Sequence, residues 1–161
     1  MRTSSTGGYP SPDMMSPIND MTLVDMAQKQ RDYSYAPYSK YRVGCVIYAP
    51  RGDQQFFFGS NIENSSFGLT ICAERVAVFN WVRHANADPL GHKGSIETLV
   101  FATESEGFSS PCGACLQVML EFMPSESRVI HHNGKSWNQW YLKELLPYAN
   151  PHILGVDKET K

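Results

Sequence analysis

The sequence predicts an α/β layered domain built around a mixed sheet, and three observations carry that reading. Short β-branched and aromatic runs alternate with amphipathic segments of helical period, the pattern of strands joined by crossover helices. The length of 161 residues suits one compact domain and a substantial buried core. Hydrophobic residues make up 42% and charged residues 19%, an ordinary globular balance that excludes a disordered or fibrous chain.

Residues 1–16 are rich in Ser, Gly and Pro and read as a flexible tail, which leaves 17–161 as the folded domain. From about Ile18 to Tyr33, the residues Ile18, Met21, Val24 and Ala27 share one helical face. Asn19 or Asp20 can cap that helix, and Pro37 stops it. Tyr41–Tyr48 is β-branched and aromatic and reads as a strand; the turn Pro50–Asp53 then leads into a second strand, Gln55–Gly59. After the loop Asn61–Phe67, a helix is expected from about Cys72 to His84, packing through Val76, Val78, Phe79 and Val82. Residues 85–95 are a polar, breaker-rich loop. Strand Ile96–Ala102, helix Cys112–Phe122 and a short strand Ser127–His131 follow. A further short strand is expected beyond Gly134, and a last helical turn across Lys143–Leu146.

The formal net charge is −2 and the sequence pI about 6.2, so nothing in the overall charge favours nucleic acid or anionic membrane. No apolar run approaches the roughly 20 residues that span a bilayer. The first residues lack the apolar core of a signal peptide, so a cytoplasmic protein is expected. In a reducing compartment the four cysteines point to metal or redox chemistry rather than disulfides.

Cys72-Ala-Glu74 and, forty positions later, Pro111-Cys-Gly-Ala-Cys115 each sit where a loop gives way to a predicted helix. Free N–H groups and the positive end of the helix dipole favour thiolate over thiol there. Two such helix starts facing each other would offer Cys72, Cys112 and Cys115 to one zinc ion and keep a fourth position for water. Three thiolates around Zn²⁺ leave one net negative charge, which Arg75 can offset by hydrogen-bonding the sulfurs. Glu74, two positions beyond Cys72, need not ligate the metal and is placed to take and return a proton. Two blander readings stand beside this one. A structural zinc site would need Cys45 or one of the five His residues as a fourth ligand, and none has ligand spacing. A redox Cys-x-x-Cys pair would leave Cys72-Ala-Glu74 unexplained. Cys45, inside the first strand, reads as a buried, inert thiol.

Ala36-Pro-Tyr-Ser-Lys-Tyr-Arg-Val-Gly44, Asn61-Ile-Glu-Asn64, Cys72-Ala-Glu-Arg75, Ser110-Pro-Cys-Gly-Ala-Cys115 and Glu144-Leu-Leu-Pro147 occur in that order. Together they resemble the successive signatures of the cytidine deaminase family, over roughly residues 20–148 and closest to its small, homotetrameric, three-cysteine branch. The resemblance implies a three-layer α/β/α sandwich with a mixed five-stranded sheet. It implies zinc as cofactor, held by Cys72, Cys112 and Cys115, with hydroxide generated on the metal attacking C4 of a cytosine nucleoside and Glu74 as proton shuttle. It also implies that Asn61 and Glu63 hydrogen-bond the sugar, that Ala73 touches substrate, and that Tyr41, usually Phe in the family, packs beside the nucleoside. Asn64 reads instead as a turn residue, and Tyr41 fits a packing aromatic equally well.

The chain departs from the family pattern in three places. Leu116 replaces the usual Arg after the last cysteine, and Asn150 stands where relatives place an aromatic, with Tyr148 as a possible substitute. The 85–95 loop looks longer and more polar than usual. These changes bear on substrate identity more than on chemistry. The leading expectation is deamination of free cytidine and deoxycytidine, with no membrane and no polynucleotide partner. The alternatives are a modified cytosine nucleoside such as blasticidin S, bases within polynucleotides, and a non-catalytic zinc module.

Overall fold

The computed structural model describes residues 18–50, 54–85, 96–105 and 107–148. The expected tail, the tip of the Pro50–Asp53 turn, nearly all of the 85–95 loop and Asn150 lie outside them. Among the described residues, four α-helices and five strands follow in the order α1 (Asp20–Gln30), β1 (Gly44–Tyr48), β2 (Phe56–Ser60), α2 (Ala73–His84), β3 (Thr98–Ala102), α3 (Gly113–Phe122), β4 (Arg128–His132), β5 (Trp137–Tyr141) and α4 (Leu142–Leu145). The strands form one mixed sheet in the order β2-β1-β3-β4-β5. Only the β3–β4 pair is parallel, and α3 is its crossover.

Alternation along the strands divides the core in two. Val46, Tyr48, Val100, Ala102 and Ile130 face α1, where Leu23, Val24 and Ala27 cover them. Cys45, Ile47, Leu99, Phe101 and Val129 face the other way, under Ala77, Val78 and Trp81 of α2 and Cys115, Leu116 and Met119 of α3. Helices on both faces make the expected three layers. Each buried large apolar side chain contributes about 1.5–3 kcal/mol against leaving it in water. Arg128 on β4 ties the first turn of α1 to the sheet through a bidentate pair with Asp20, at 2.8 and 2.9 Å.

The structure decides one local expectation and corrects several others. Asn19 is the cap of α1, its Oδ1 accepting from the Met21 amide at 2.9 Å. Met21 itself is 49% exposed, and Leu23 takes its place in the core. On α2, the packing residues are Ala73, Ala77, Val78 and Trp81, while Phe79 faces solvent and Val82 is only partly buried. The cause is close approach: a Cβ on Gly59 of β2 would lie 2.2 Å from the Ala73 carbonyl oxygen, so only small residues fit where α2 crosses β2. Strand β1 begins at Gly44, three residues later than expected, because the Asn61 side chain occupies the backbone just before it. Leu116 is buried in the core beside α2, so this position contributes packing.

Candidate active site

The sheet register brings four chain segments to one edge. Gly44 pairs with Ser60 and with Ala102, and Ala102 pairs with His132, so Val43, Asn61 and Thr103 come together at that end. The two helix starts face the same end. Cys72 is the N-cap of α2 and Cys112 the N-cap of α3, both with extended backbone and neither making a side-chain capping bond. Cys115 lies in the first turn of α3 and is fully buried.

The three sulfurs form a compact triangle. Cys72 and Cys112 Sγ are 3.9 Å apart, Cys112 and Cys115 Sγ 3.5 Å, and all three lie within 4.8 Å of one another. A tetrahedral zinc with Zn–S near 2.3 Å requires sulfur separations of about 3.8 Å, so the triangle fits that ion. Contact with the Cys115 thiol holds Cys72 down at about 5, helped by Arg75, whereas the Cys72 contact and burial push Cys115 far up. Three sulfurs this close compete for protons, and a divalent cation resolves the competition by replacing them. Among the described residues no fourth Cys or His joins the cluster, which leaves a coordination position open.

Arg75 lies beside the sulfur cluster. Its Nη2 donates to the Thr70 carbonyl at 3.0 Å and reaches Cys72 Sγ at 3.8 Å, and its buried Nε has no hydrogen-bond partner among the described residues. Glu74 is buried beside the sulfurs, and burial, reinforced by the Cys72 charge, pushes its carboxyl up to about 7.

A cavity of about 490 Å³ opens onto this cluster, a size suited to a small ligand. Tyr41, Asn61, Glu63, Cys72, Glu74 and Cys112 line it, as do Ser39, Thr103, Ser109 and Ser110. Ala73 is fully buried and is not among the lining residues. Asn61 spends half its capacity on structure: its Oδ1 accepts from the Val43 amide at 2.8 Å and its Nδ2 donates to the Tyr41 carbonyl at 2.9 Å. Glu63 accepts from the Tyr38 amide at 2.8 Å, from the Ser39 amide at 3.3 Å and from the Ser39 hydroxyl. These bonds, with the Ser39 hydroxyl foremost, hold its carboxyl below the usual range. Both residues therefore brace the 36–43 loop while retaining unfilled hydrogen-bond positions. Asn64 behaves as a turn residue, its Oδ1 accepting from the Ser66 amide at 2.9 Å. Sequence reasoning missed Thr103, Ser109 and Ser110 of the cavity wall, which come from loops after β3. Tyr148 is 98% exposed.

The family model for the cytidine and deoxycytidylate deaminase zinc-binding region matches residues 17–131. The chain belongs to this zinc-binding deaminase family. It is 38% identical over 130 residues to the cytidine deaminase of Mycoplasma genitalium, covering 80% of this chain and 93% of that one. To the cytidine deaminase of Sporosarcina psychrophila it is 40% identical over 128 residues, covering 79% and 88%. Among solved structures, cytidine deaminase from Burkholderia pseudomallei superposes with a TM-score of 0.71 at 32% identity, covering 83% of this chain and all (100%) of that chain.

Proposed function

We propose that this chain catalyses the hydrolytic deamination of free cytidine and deoxycytidine to uridine and deoxyuridine, releasing ammonia. The observation that carries the reading is the three-sulfur cluster with one open position, beside a buried carboxylate, at the floor of a nucleoside-sized cavity. Cys72, Cys112 and Cys115 hold zinc in this reading, with Arg75 offsetting the negative charge. Zinc, when bound, supplies a Lewis acid that makes water acidic near neutral pH.

The reaction adds water across the C4–N3 bond of the cytosine ring and then expels the amino group. Glu74 takes a proton from the attacking water and gives it to N3. It then moves the remaining hydroxyl proton to the leaving nitrogen, so one carboxyl serves as base and acid. Asn61 and Glu63 hold the sugar hydroxyls through their unfilled positions, and Tyr41 walls the nucleoside. Ala73, expected to touch substrate but buried behind the cavity lining, acts in this reading through its place between Cys72 and Glu74. A non-catalytic zinc module has no use for a carboxylate beside an open position, and a polynucleotide substrate finds no support in the acidic balance of charge. Membership of a homotetrameric branch and a cytoplasmic location remain part of the proposal. No helix among the described residues is long and apolar enough to cross a membrane.

The test is ammonia release by the zinc-loaded protein from cytidine, deoxycytidine, cytosine, CMP and blasticidin S. Cytidine and deoxycytidine are the expected substrates, and turnover of cytosine alone, or of none, overturns the assignment. Preference for blasticidin S would select the modified-nucleoside reading. Glu74→Gln should keep its zinc and lose about 10²–10⁴ in kcat. Equal turnover by that variant overturns the proton-shuttle role.

A further inference from the structure

One buried histidine next to the cavity has no part in the chemistry above. His131 is fully buried on β4, in register with Phe101 of β3. Its ring stacks on Phe101 with centroids 4.6 Å apart and planes 20° apart, and Phe108 meets it edge-on at 6.0 Å. Both ring nitrogens are engaged.

Their roles follow from what each partner can do. Nδ1 lies 3.0 Å from the Ser109 amide nitrogen, and an amide N–H only donates, so Nδ1 is an unprotonated acceptor. The neutral ring therefore carries its proton on Nε2, which sits 2.9 Å from Thr103 Oγ1 and donates to it. Thr103 Oγ1 also shares a hydrogen bond with Ser105 Oγ at 3.0 Å, in which either hydroxyl can donate. Tyr41 Oη reaches the same Ser105 Oγ at 3.5 Å. The backbone of Thr103 is pinned separately, its carbonyl accepting from Arg31 Nη1 at 3.0 Å. A protonated ring would turn a second N–H against the Ser109 amide, two donors face to face in a buried place. Burial, with His132 adding to it, lowers the affinity of the ring for a second proton, in keeping with that geometry.

Ser109, Thr103 and Tyr41 come from three separate segments, and all three line the cavity. We propose that His131, in its neutral Nε2–H form, is a positioning residue that ties Ser109 to Thr103, Ser105 and Tyr41 and so fixes that part of the cavity wall. The effect on substrate rests on the deaminase reading given above, whereas the hydrogen-bond chain does not.

The experiment has two arms on the full-length, zinc-loaded protein. In the first, ¹H–¹⁵N correlation of the histidine rings at pH 7, assigned with His131→Phe, reads the tautomer, and amide hydrogen exchange reads Ser109. An unprotonated Nδ1, a protonated Nε2 and a protected Ser109 amide are expected; an Nδ1–H tautomer, a charged ring or an unprotected amide overturns the proposal. In the second, His131→Phe keeps the ring stack and removes both hydrogen bonds. Its KM for cytidine should rise about tenfold with kcat within about twofold and zinc content unchanged. His131→Asn, whose Oδ1 overlies Nδ1 and can accept from Ser109, should recover part of that KM and also serves where the Phe variant does not fold. Unchanged KM in both variants, or kcat and zinc lost together, overturns the positioning role. If the unmodified protein leaves cytidine untouched, the functional reading fails, and the first arm still decides the hydrogen-bond chain.

Discussion

The two sides of the cavity are built by different means. On the metal side, three sulfurs come from the N-terminal ends of α2 and α3, whose apolar faces are packed into one core, so the site inherits the rigidity of that core. Elsewhere around the cavity, Tyr41, Asn61, Glu63, Thr103 and Ser109 stand on loops, and hydrogen bonds between those loops do the holding. Packing fixes a position to a fraction of an ångström, while a mesh of hydrogen bonds, most of them neutral and worth about 1 kcal/mol each, yields sooner. Chemistry that needs a fixed ion is thus on the packed side, and shape recognition is on the meshed side.

That contrast can be broken or sharpened by substitution. The largest effect is expected on the packed side: Cys112→Ala removes one of three ligands, and zinc by atomic absorption and cytidine turnover should both fall to background. Retained zinc in that variant would place the metal elsewhere. Arg75→Ala leaves the ligands in place but strips the charge beside Cys72, so zinc affinity, measured by competition with a chelator, should weaken about 10–100-fold. The mildest change is expected on the meshed side, from Glu63→Gln. Loosening the 36–43 loop and one sugar contact should raise KM about tenfold while zinc content holds. A loss of zinc there would show the two sides to be coupled.

The same division explains what could be read in advance. Cys72, Glu74, Cys112 and Cys115 were legible because ligand type, spacing and helix-start chemistry coincide within two short segments. Arg75 was legible from charge accounting alone. Thr103, Ser109 and His131 were not, since Thr103 and Ser109 lie on the loop after β3 and His131 on β4, and only the strand register brings them together. The core face of α2 was misjudged for a related reason. Its large residues Val76 and Phe79 satisfied the helical period, but the closeness of β2 selected Ala73 and Ala77 instead. The late start of β1 has the same character: the Asn61 amide, eighteen residues on from Val43, takes up backbone groups that a local reading assigns to a strand.

Gly59 carries a consequence for how the site can change over time. It has no chemistry and no substrate to touch, yet an added Cβ would meet the Ala73 carbonyl oxygen at 2.2 Å and the Ala77 amide nitrogen at 2.5 Å. Those atoms belong to the turn that carries Cys72 and Glu74. A single methyl group on β2 would therefore lift the ligand and the proton shuttle together, away from a pair of cysteines that stays put on α3. Inheritance of this metal centre depends on an empty space thirteen residues upstream of its first ligand as much as on the ligands themselves.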